Sequence, residues 1–166
     1  MFSVPALDPS APEAFYEALA RQLDVLLGDE TDRVANLANA AALIWHTMPG
    51  LNWAGFYLMR DGELVLGPFQ GKPACVRIAV GQGVCGTAVA TNASVRVDDV
   101  HVFPGHIACD DDSRSELVVP LRADGCVVGV LDLDSPEPGR FTTADQDGCE
   151  RLVQVLERRW SSSPAL

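Results

Sequence analysis

Five cysteines are the side chains of this sequence best suited to chemistry: Cys75, Cys85, Cys109, Cys126 and Cys149. A thiolate is a strong nucleophile, and its first oxidation product can be recycled through a disulfide. Cys109 lies in a polar segment, FPGHIACD, where burial gives little reason to choose a thiol. Cys126 and Cys149 have apolar neighbours at strand or helix spacing, so both are interpreted as small buried hydrophobic residues. Cys109 is therefore the candidate nucleophile.

Metal binding and hydrolysis are the main alternatives for the polar residues. His101 and His106 could join the cysteines as ligands, but the separations of the cysteines match no zinc pattern. The aspartates at 110–112 lack the oxygen spacing of a calcium loop. The sequence contains no nucleophile elbow for Ser-His-Asp chemistry. We therefore expect no metal site, and we interpret the two histidines as groups that order the loop.

The composition places further limits on function. The chain has 166 residues, a formal net charge of −11 and 48% hydrophobic residues, as a globular domain does. Binding to nucleic acid or anionic lipid needs a basic surface, and the sequence has no Lys/Arg cluster. The first residues, MFSVPALDPSAPE, lack the regions of a signal peptide, and no apolar run reaches about 18 residues. We therefore expect a cytoplasmic protein whose cysteines rest as thiols.

Three longer helices are predicted near the two ends of the chain. Apolar residues recur at helical intervals until Gly28, and Ser10 and Glu13 have the spacing of a capping box. A second periodic stretch starts near Thr31 and ends before a Pro-Gly pair. The third periodic stretch predicts a closing helix over 142–160.

The middle of the chain has strand-like patterns. Segments rich in β-branched and aromatic residues occupy 52–59, 63–66, 75–79, 117–121 and 126–134. Asp-Gly pairs at 61–62 and 124–125 predict two-residue hairpin turns. A short helix is predicted over 84–91. The segment 97–115 has no periodicity, and long loops of this kind are usually functional.

Together these elements predict a single α+β domain over 1–166. Helices from 1–50 and 142–160 would flank a central antiparallel sheet formed by 52–134, which also carries the candidate site loops. This is a three-layer arrangement.

Three motifs resemble those of a known enzyme family. They are LGPFQGKPACVRIAVGQGVCGTA, DVHVFPGHIACDDDSRSELVVPL and VGVLDLDSP, and the similarity extends from about Asn52 to the last helix. They closely resemble the free methionine-(R)-sulfoxide reductases, which are built on a GAF domain. Ordinary GAF domains share the architecture but lack cysteines in these three contexts, so the resemblance is specific.

The resemblance implies an enzyme that reduces free methionine-(R)-sulfoxide with thiols. It implies no bound cofactor, recycling by thioredoxin with NADPH as the indirect electron source, and a homodimer. On the matching positions, Cys109 is the catalytic residue, and Cys75 and Cys85 are resolving cysteines. Attack by Cys109 on the sulfoxide would leave a sulfenic acid, which condenses with a second thiol to a disulfide.

The resemblance also implies a substrate pocket. Trp53 and Tyr57 match its aromatic wall, and Glu116, Asp132 and Asp134 match its carboxylates. Trp53 and Tyr57 are four positions apart, and Asp132 and Asp134 are two apart. Side chains alternate along a strand, so the two members of each pair point to the same face of the sheet. Crowded carboxylates cannot all ionise, and a protonated one could act as the acid that the sulfoxide oxygen needs. Without the resemblance, the aromatic pair would be interpreted as core and the two aspartates as a solvated strand end.

Two other functions fit the same residues. One is a GAF-type sensor that binds a small ligand without turning it over, although no output domain accompanies it in 166 residues. The other is a peroxide-sensing thiol protein, because a reactive cysteine with a resolving partner suits that role too.

Overall fold

The computed structural model describes residues 7–105 and 110–160. The helices are α1 (Pro12–Leu27), α2 (Arg33–Thr47), α3 (Gly83–Thr91) and α4 (Thr143–Trp160). The strands are β1 (Trp53–Arg60), β2 (Glu63–Gly71), β3 (Arg77–Ala79), β4 (Val95–Val97), β5 (Ser115–Ala123) and β6 (Cys126–Ser135). The six strands form one antiparallel sheet in the order β3-β2-β1-β6-β5-β4. The predicted α+β class is confirmed.

Strand alternation divides the interior into two clusters on opposite faces of the sheet. Phe56 and Leu133 point to the face covered by α1, α2 and α4, where they join the larger apolar cluster. Tyr57 and Val118 point to the other face, where they pack with residues of α3 and the loops around it. The sheet is therefore the middle of three layers, and the smaller cluster holds the predicted site.

Both predicted hairpin turns are present. Asp61 and Gly62 have φ values of 52° and 86°, and Asp124 and Gly125 have 50° and 81°. Two consecutive positive φ values define the turn type that matches the twist of paired strands, and Asp-Gly tolerates them well. These turns set the register of β1 with β2 and of β5 with β6.

The starts of the helices differ in detail from the prediction. The capping box at Ser10 and Glu13 is wrong: α1 begins after Ala11 without a side-chain cap. Pro12 occupies the first helical turn, where its missing N–H needs no partner. Helix α2 begins after Asp32, whose carboxylate accepts a hydrogen bond from the N–H of Ala35 at 2.8 Å. The first residues of these two helices therefore differ from the predicted starts by at most about two residues, and both helices are present as predicted.

Two strands also differ from the prediction. β2 continues through the Gly67-Pro68 pair to Gly71. β3 pairs only with residues 63–65, so Pro68 lies at an edge of the sheet where its missing N–H is not needed for strand pairing. Cys75 precedes β3 and is not part of it. β4 was not predicted, since three residues are too few to show alternation, and it ends at Val97, the first residue of the predicted loop. Among the described residues, no helix has both the length and the apolar composition to cross a membrane.

The two cysteines interpreted as buried have different environments. Cys149 is fully buried against α1 and the sheet, as predicted. Cys126 is exposed, so that prediction is wrong. It follows the Asp124-Gly125 turn as the first residue of β6, and burial increases only from the next residues of that strand onward.

Candidate active site

A pocket on the α3 face of the sheet gathers most of the predicted site residues. Its lining includes Trp53 and Tyr57 from β1, Cys85 from α3, Glu116 from β5, and Asp132 and Asp134 from β6. Residues 73–74, which precede Cys75, form part of its rim. The pocket therefore brings together side chains that are up to 81 positions apart in the sequence, from Trp53 to Asp134.

Sheet register explains why the carboxylates converge. Trp53 pairs with Asp134 across β1 and β6, and Glu116 pairs with Asp134 across β5 and β6. Residues that pair directly point to the same face, so these three form one row. Asp132 lies in the next row, opposite Gly55, which carries no side chain to cover it.

Burial gives these carboxylates unusual proton affinities. Burial, and then the negative charges of Asp132 and Asp134, raises the pKa of Glu116 well above its ordinary value. Burial likewise raises the pKa of Asp134, with Asp132 as the next cause. Burial raises the pKa of Asp132 to about 6, although hydrogen bonds from Cys85 and Glu116 partly offset this increase. Burial therefore favours the protonated form of all three carboxyl groups.

Cys85 lies directly beside this cluster. It is the third residue of α3, it is buried, and its Sγ is 3.9 Å from Glu116 Oε1. Burial raises the pKa of the Cys85 thiol well above its ordinary value, and the charges of Asp132 and Glu116 add to this. The thiol is thus protonated near neutral pH in this state of the protein.

The aromatic residues form one wall of the pocket and contact the segment before β3. Trp53 Nε1 donates a hydrogen bond to the carbonyl of Lys72 at 3.1 Å, and the Tyr57 hydroxyl donates to the carbonyl of Cys75 at 3.0 Å. Trp53 stacks on Tyr57 with ring centres 5.8 Å apart, and on Phe69 with centres 5.2 Å apart. The wall therefore also positions the cysteine segment.

Sequence reasoning missed two contributors to this wall, Phe69 and Gly55. Phe69 pairs with Gly55 across β1 and β2. A Cβ atom on Gly55 would lie 2.3 Å from the Phe69 Cβ and 2.7 Å from the Trp53 Cη2 atom, far inside contact distance. The stacking of Trp53 on Phe69 thus requires glycine at position 55. Its signal in the sequence is a glycine inside a strand-like pattern, which is typical of close approach by a neighbouring group.

A polar cluster at the rim was also missed. Asp110 accepts a hydrogen bond from Asn52 Nδ2 at 3.2 Å, and Lys72 Nζ lies 3.1 Å from its other oxygen. Asn52 Nδ2 also donates to the Ser113 hydroxyl at 3.0 Å, and Lys72 pairs with Asp112 as well. Lys72 lies in the KPAC motif, Asp110 and Asp112 lie in the ACDDD motif, and Ser113 follows it directly, which is the signal that could have identified them. Asn52 is distant from both motifs in the sequence.

The remaining predicted residues lie elsewhere or beyond the described part of the chain. Cys75 is disulfide-bonded, and Cys85 has a free thiol. Cys109 and His106 lie outside the described residues. His101 is on the surface, where Nδ1 contacts Asp99 Oδ1 at 2.9 Å and Nε2 contacts an Arg114 nitrogen at 3.0 Å. His101 is not among the residues that line the pocket, and its contacts fit the interpretation as a loop-ordering group.

Comparison with known proteins shows extensive similarity in sequence and fold. The GAF domain model matches residues 22–159. The free methionine-R-sulfoxide reductase of Escherichia coli is 56% identical over 144 residues, which cover 87% of each chain. That of Saccharomyces cerevisiae is 42% identical over 154 residues, covering 88% of this chain and 86% of that one. The X-ray structure of the Neisseria meningitidis enzyme with its substrate superimposes with a TM-score of 0.92 at 45% identity, over 98% of both chains.

Proposed function

Since the chain belongs to the free methionine-R-sulfoxide reductase family of GAF-domain proteins, we propose that it reduces free methionine-(R)-sulfoxide to methionine. One observation carries this proposal. A thiol, four carboxylates and an aromatic wall line a single pocket in a chain that is 56% identical to a reductase of that name. The (R) preference comes from the family alone.

The pocket offers groups for the ammonium, the apolar end and the sulfoxide oxygen of this substrate. Ionised Asp132, with its unpartnered Oδ1, supplies a negative charge for the ammonium group. Trp53 and Tyr57 supply an apolar surface for the thioether and methyl groups. Burial raises the pKa of Glu116 and of Asp134 and so favours their protonated forms, which can donate a proton to the sulfoxide oxygen.

Cys109 is the proposed nucleophile. Its thiolate attacks the sulfoxide sulfur while a carboxylic acid of the pocket protonates the oxygen. The oxygen passes to Cys109 as a sulfenic acid, and methionine leaves with a reduced sulfur. A second thiol then attacks the sulfenic acid, which forms a disulfide and releases water. Thioredoxin, with NADPH as the distant electron source, returns both cysteines to thiols by exchange.

Cys75 is the proposed first resolving residue. It is disulfide-bonded here, whereas Cys85, Cys126 and Cys149 have free thiols, and Cys109 is the fifth cysteine of the sequence. Cys85 is less suited to the first step, because its raised pKa leaves little thiolate for attack. Peptide mapping after oxidation by one equivalent of substrate tests this order. A single bridge between Cys75 and Cys85, with the Cys109 thiol intact, would contradict it.

A coupled assay tests the activity itself. Thioredoxin, its reductase and NADPH are supplied, and NADPH consumption is followed with each sulfoxide epimer of free methionine separately. We expect turnover with the (R) epimer and little with the (S) epimer. Consumption with hydrogen peroxide alone would favour the peroxide sensor, and no consumption with any of these compounds would favour the ligand-binding module.

A further inference from the structure

The pocket thiol and two of its carboxylates converge closely enough to share one ligand when the substrate is absent. One ligand atom from each of Cys85, Glu116 and Asp132 lies within 4.8 Å of the others, and all three residues are buried. Asp132 is only 6% exposed, and its Oδ1 atom has no hydrogen-bond partner. A buried carboxylate oxygen without a partner is costly, so its position points to a ligand.

From this arrangement we propose that Cys85, Glu116 and Asp132 form a binding site for a borderline-soft divalent cation such as Zn²⁺. Thiolate and carboxylate are both established zinc ligands. In a tetrahedral site with Zn–S of about 2.3 Å and Zn–O of about 2.0 Å, sulfur and oxygen ligands lie about 3.5 Å apart. Cys85 Sγ and Glu116 Oε1 are 3.9 Å apart, so a small side-chain adjustment completes that geometry.

Charge and space in the pocket also suit a cation. Four acidic side chains and a thiol line it, and none of the lining residues that the structure describes is Lys, Arg or His. The cavity volume is about 40 Å³, more than the roughly 10–15 Å³ that one water molecule needs. A cation with a water molecule as its fourth ligand fits this space. Binding displaces the protons that these groups otherwise hold.

Cobalt(II) is a suitable probe, because a cobalt–thiolate bond gives a charge-transfer absorption that carboxylate ligation lacks. The wild-type chain is titrated with CoCl₂ in its disulfide form, in which Cys75 cannot act as a ligand. We expect the thiolate band to saturate at one equivalent and to disappear when ZnCl₂ is added. Cys85→Ser should abolish the band, and Cys126→Ser, which alters an exposed thiol, should leave it unchanged.

A second variant keeps the test decisive if Cys85→Ser does not fold. Glu116→Gln retains the thiol and should weaken cobalt binding at least about tenfold, since loss of even an outer contact to a metal site costs that much. Absence of the band in the wild-type chain would overturn the proposal. Retention of the band in Cys85→Ser, or unchanged affinity in Glu116→Gln, would do the same.

The cation and the substrate should compete for the same part of the pocket. This expectation rests on the proposed function, and a separate experiment tests it. The Cys75→Ser/Cys109→Ser chain cannot turn over, and Cys85 is its only remaining cysteine among the residues lining the pocket. Free methionine sulfoxide should displace cobalt from this variant and remove the band. A band that persists would show that the metal site is right and the proposed substrate position is wrong. If no band forms in the wild type, the metal site is wrong, and the coupled assay still decides the reductase activity.

Discussion

Lys72 Nζ lies 3.1 Å from Asp110 Oδ1, and this ion pair joins the two chain segments that carry Cys75 and Cys109. Lys72 precedes Cys75 by three residues, and Asp110 directly follows Cys109. The Asp110 side chain is only 8% exposed and is also held by Asn52. The pair therefore fixes the chain on one side of the candidate nucleophile relative to the proposed resolving cysteine.

We expect Lys72→Met to lower kcat while leaving KM for free methionine sulfoxide nearly unchanged. The side chain does not line the pocket, but loosening the cysteine segments should slow bridge formation roughly three- to tenfold. Lys72→Arg should restore most of the rate. Arg77→Met is the matched control, because it removes an exposed ion pair with Glu63 outside the pocket. An equal loss in the control, or no loss in Lys72→Met, would show that the Lys72 pair has no positioning role.

Serine substitutions should separate the cysteines by role. Cys109→Ser should abolish turnover in the coupled assay, because no sulfenic acid can form. Cys126→Ser should change neither turnover nor stability, since that thiol is exposed. Cys149→Ser should keep kcat but lower the free energy of unfolding by about 1–3 kcal/mol, because a hydroxyl replaces a fully buried thiol. Full activity in Cys109→Ser would end the proposed mechanism.

The stability of the protein should fall with rising pH through the titration of Asp132. Burial raises its folded-state pKa from 3.8 to about 6, so between these values the folded state binds more protons than the unfolded state. The contribution of Asp132 to the free energy of unfolding is fully present below its unfolded-state pKa and is lost as the pH rises through about 6. Between about pH 5 and 7.5 the loss is about 1 kcal/mol.

Urea unfolding of the wild-type and Asp132→Asn chains, both with a chelator present, measures this effect. The asparagine does not titrate, so the wild-type chain should lose about 1 kcal/mol more than the variant over that range. Identical pH slopes for the two chains would mean that Asp132 titrates normally.

The enzyme should discriminate against capped substrates. An N-acetyl, C-amide form of methionine sulfoxide lacks both charged ends, so the buried carboxylate of Asp132 loses its ammonium partner. Each buried polar group left without a partner costs roughly 1–3 kcal/mol. Two lost ends predict a fall in kcat/KM of at least about 30-fold relative to the free amino acid. Comparable values for the two compounds would indicate an open groove that also accepts methionine sulfoxide within a polypeptide.

Local sequence patterns determined most of the architecture. Asp61-Gly62 and Asp124-Gly125 predicted two hairpins, because these dipeptides accept the consecutive positive φ values that such turns need. The spacing of Asp132 and Asp134 predicted their common face, because strand side chains alternate. The cysteine motifs indicated the family. Each of these inferences depends on residues that are close together in the chain, where backbone geometry follows from residue type.

Only the tertiary structure decided which distant residues meet. Cys85 and Glu116 are 31 positions apart, and Lys72 and Asp110 are 38 apart, so no spacing rule could pair them. These contacts arise because α3 and the segment before β3 pack on one face of the sheet. On that face, the paired residues of β1, β5 and β6 lie side by side. Burial in that shared pocket, rather than the identity of any one residue, raises the proton affinities of the carboxylates. The exposure of Cys126 was likewise decided by the tertiary structure, because it is the first residue after the turn and its apolar neighbours in sequence are more buried than it is.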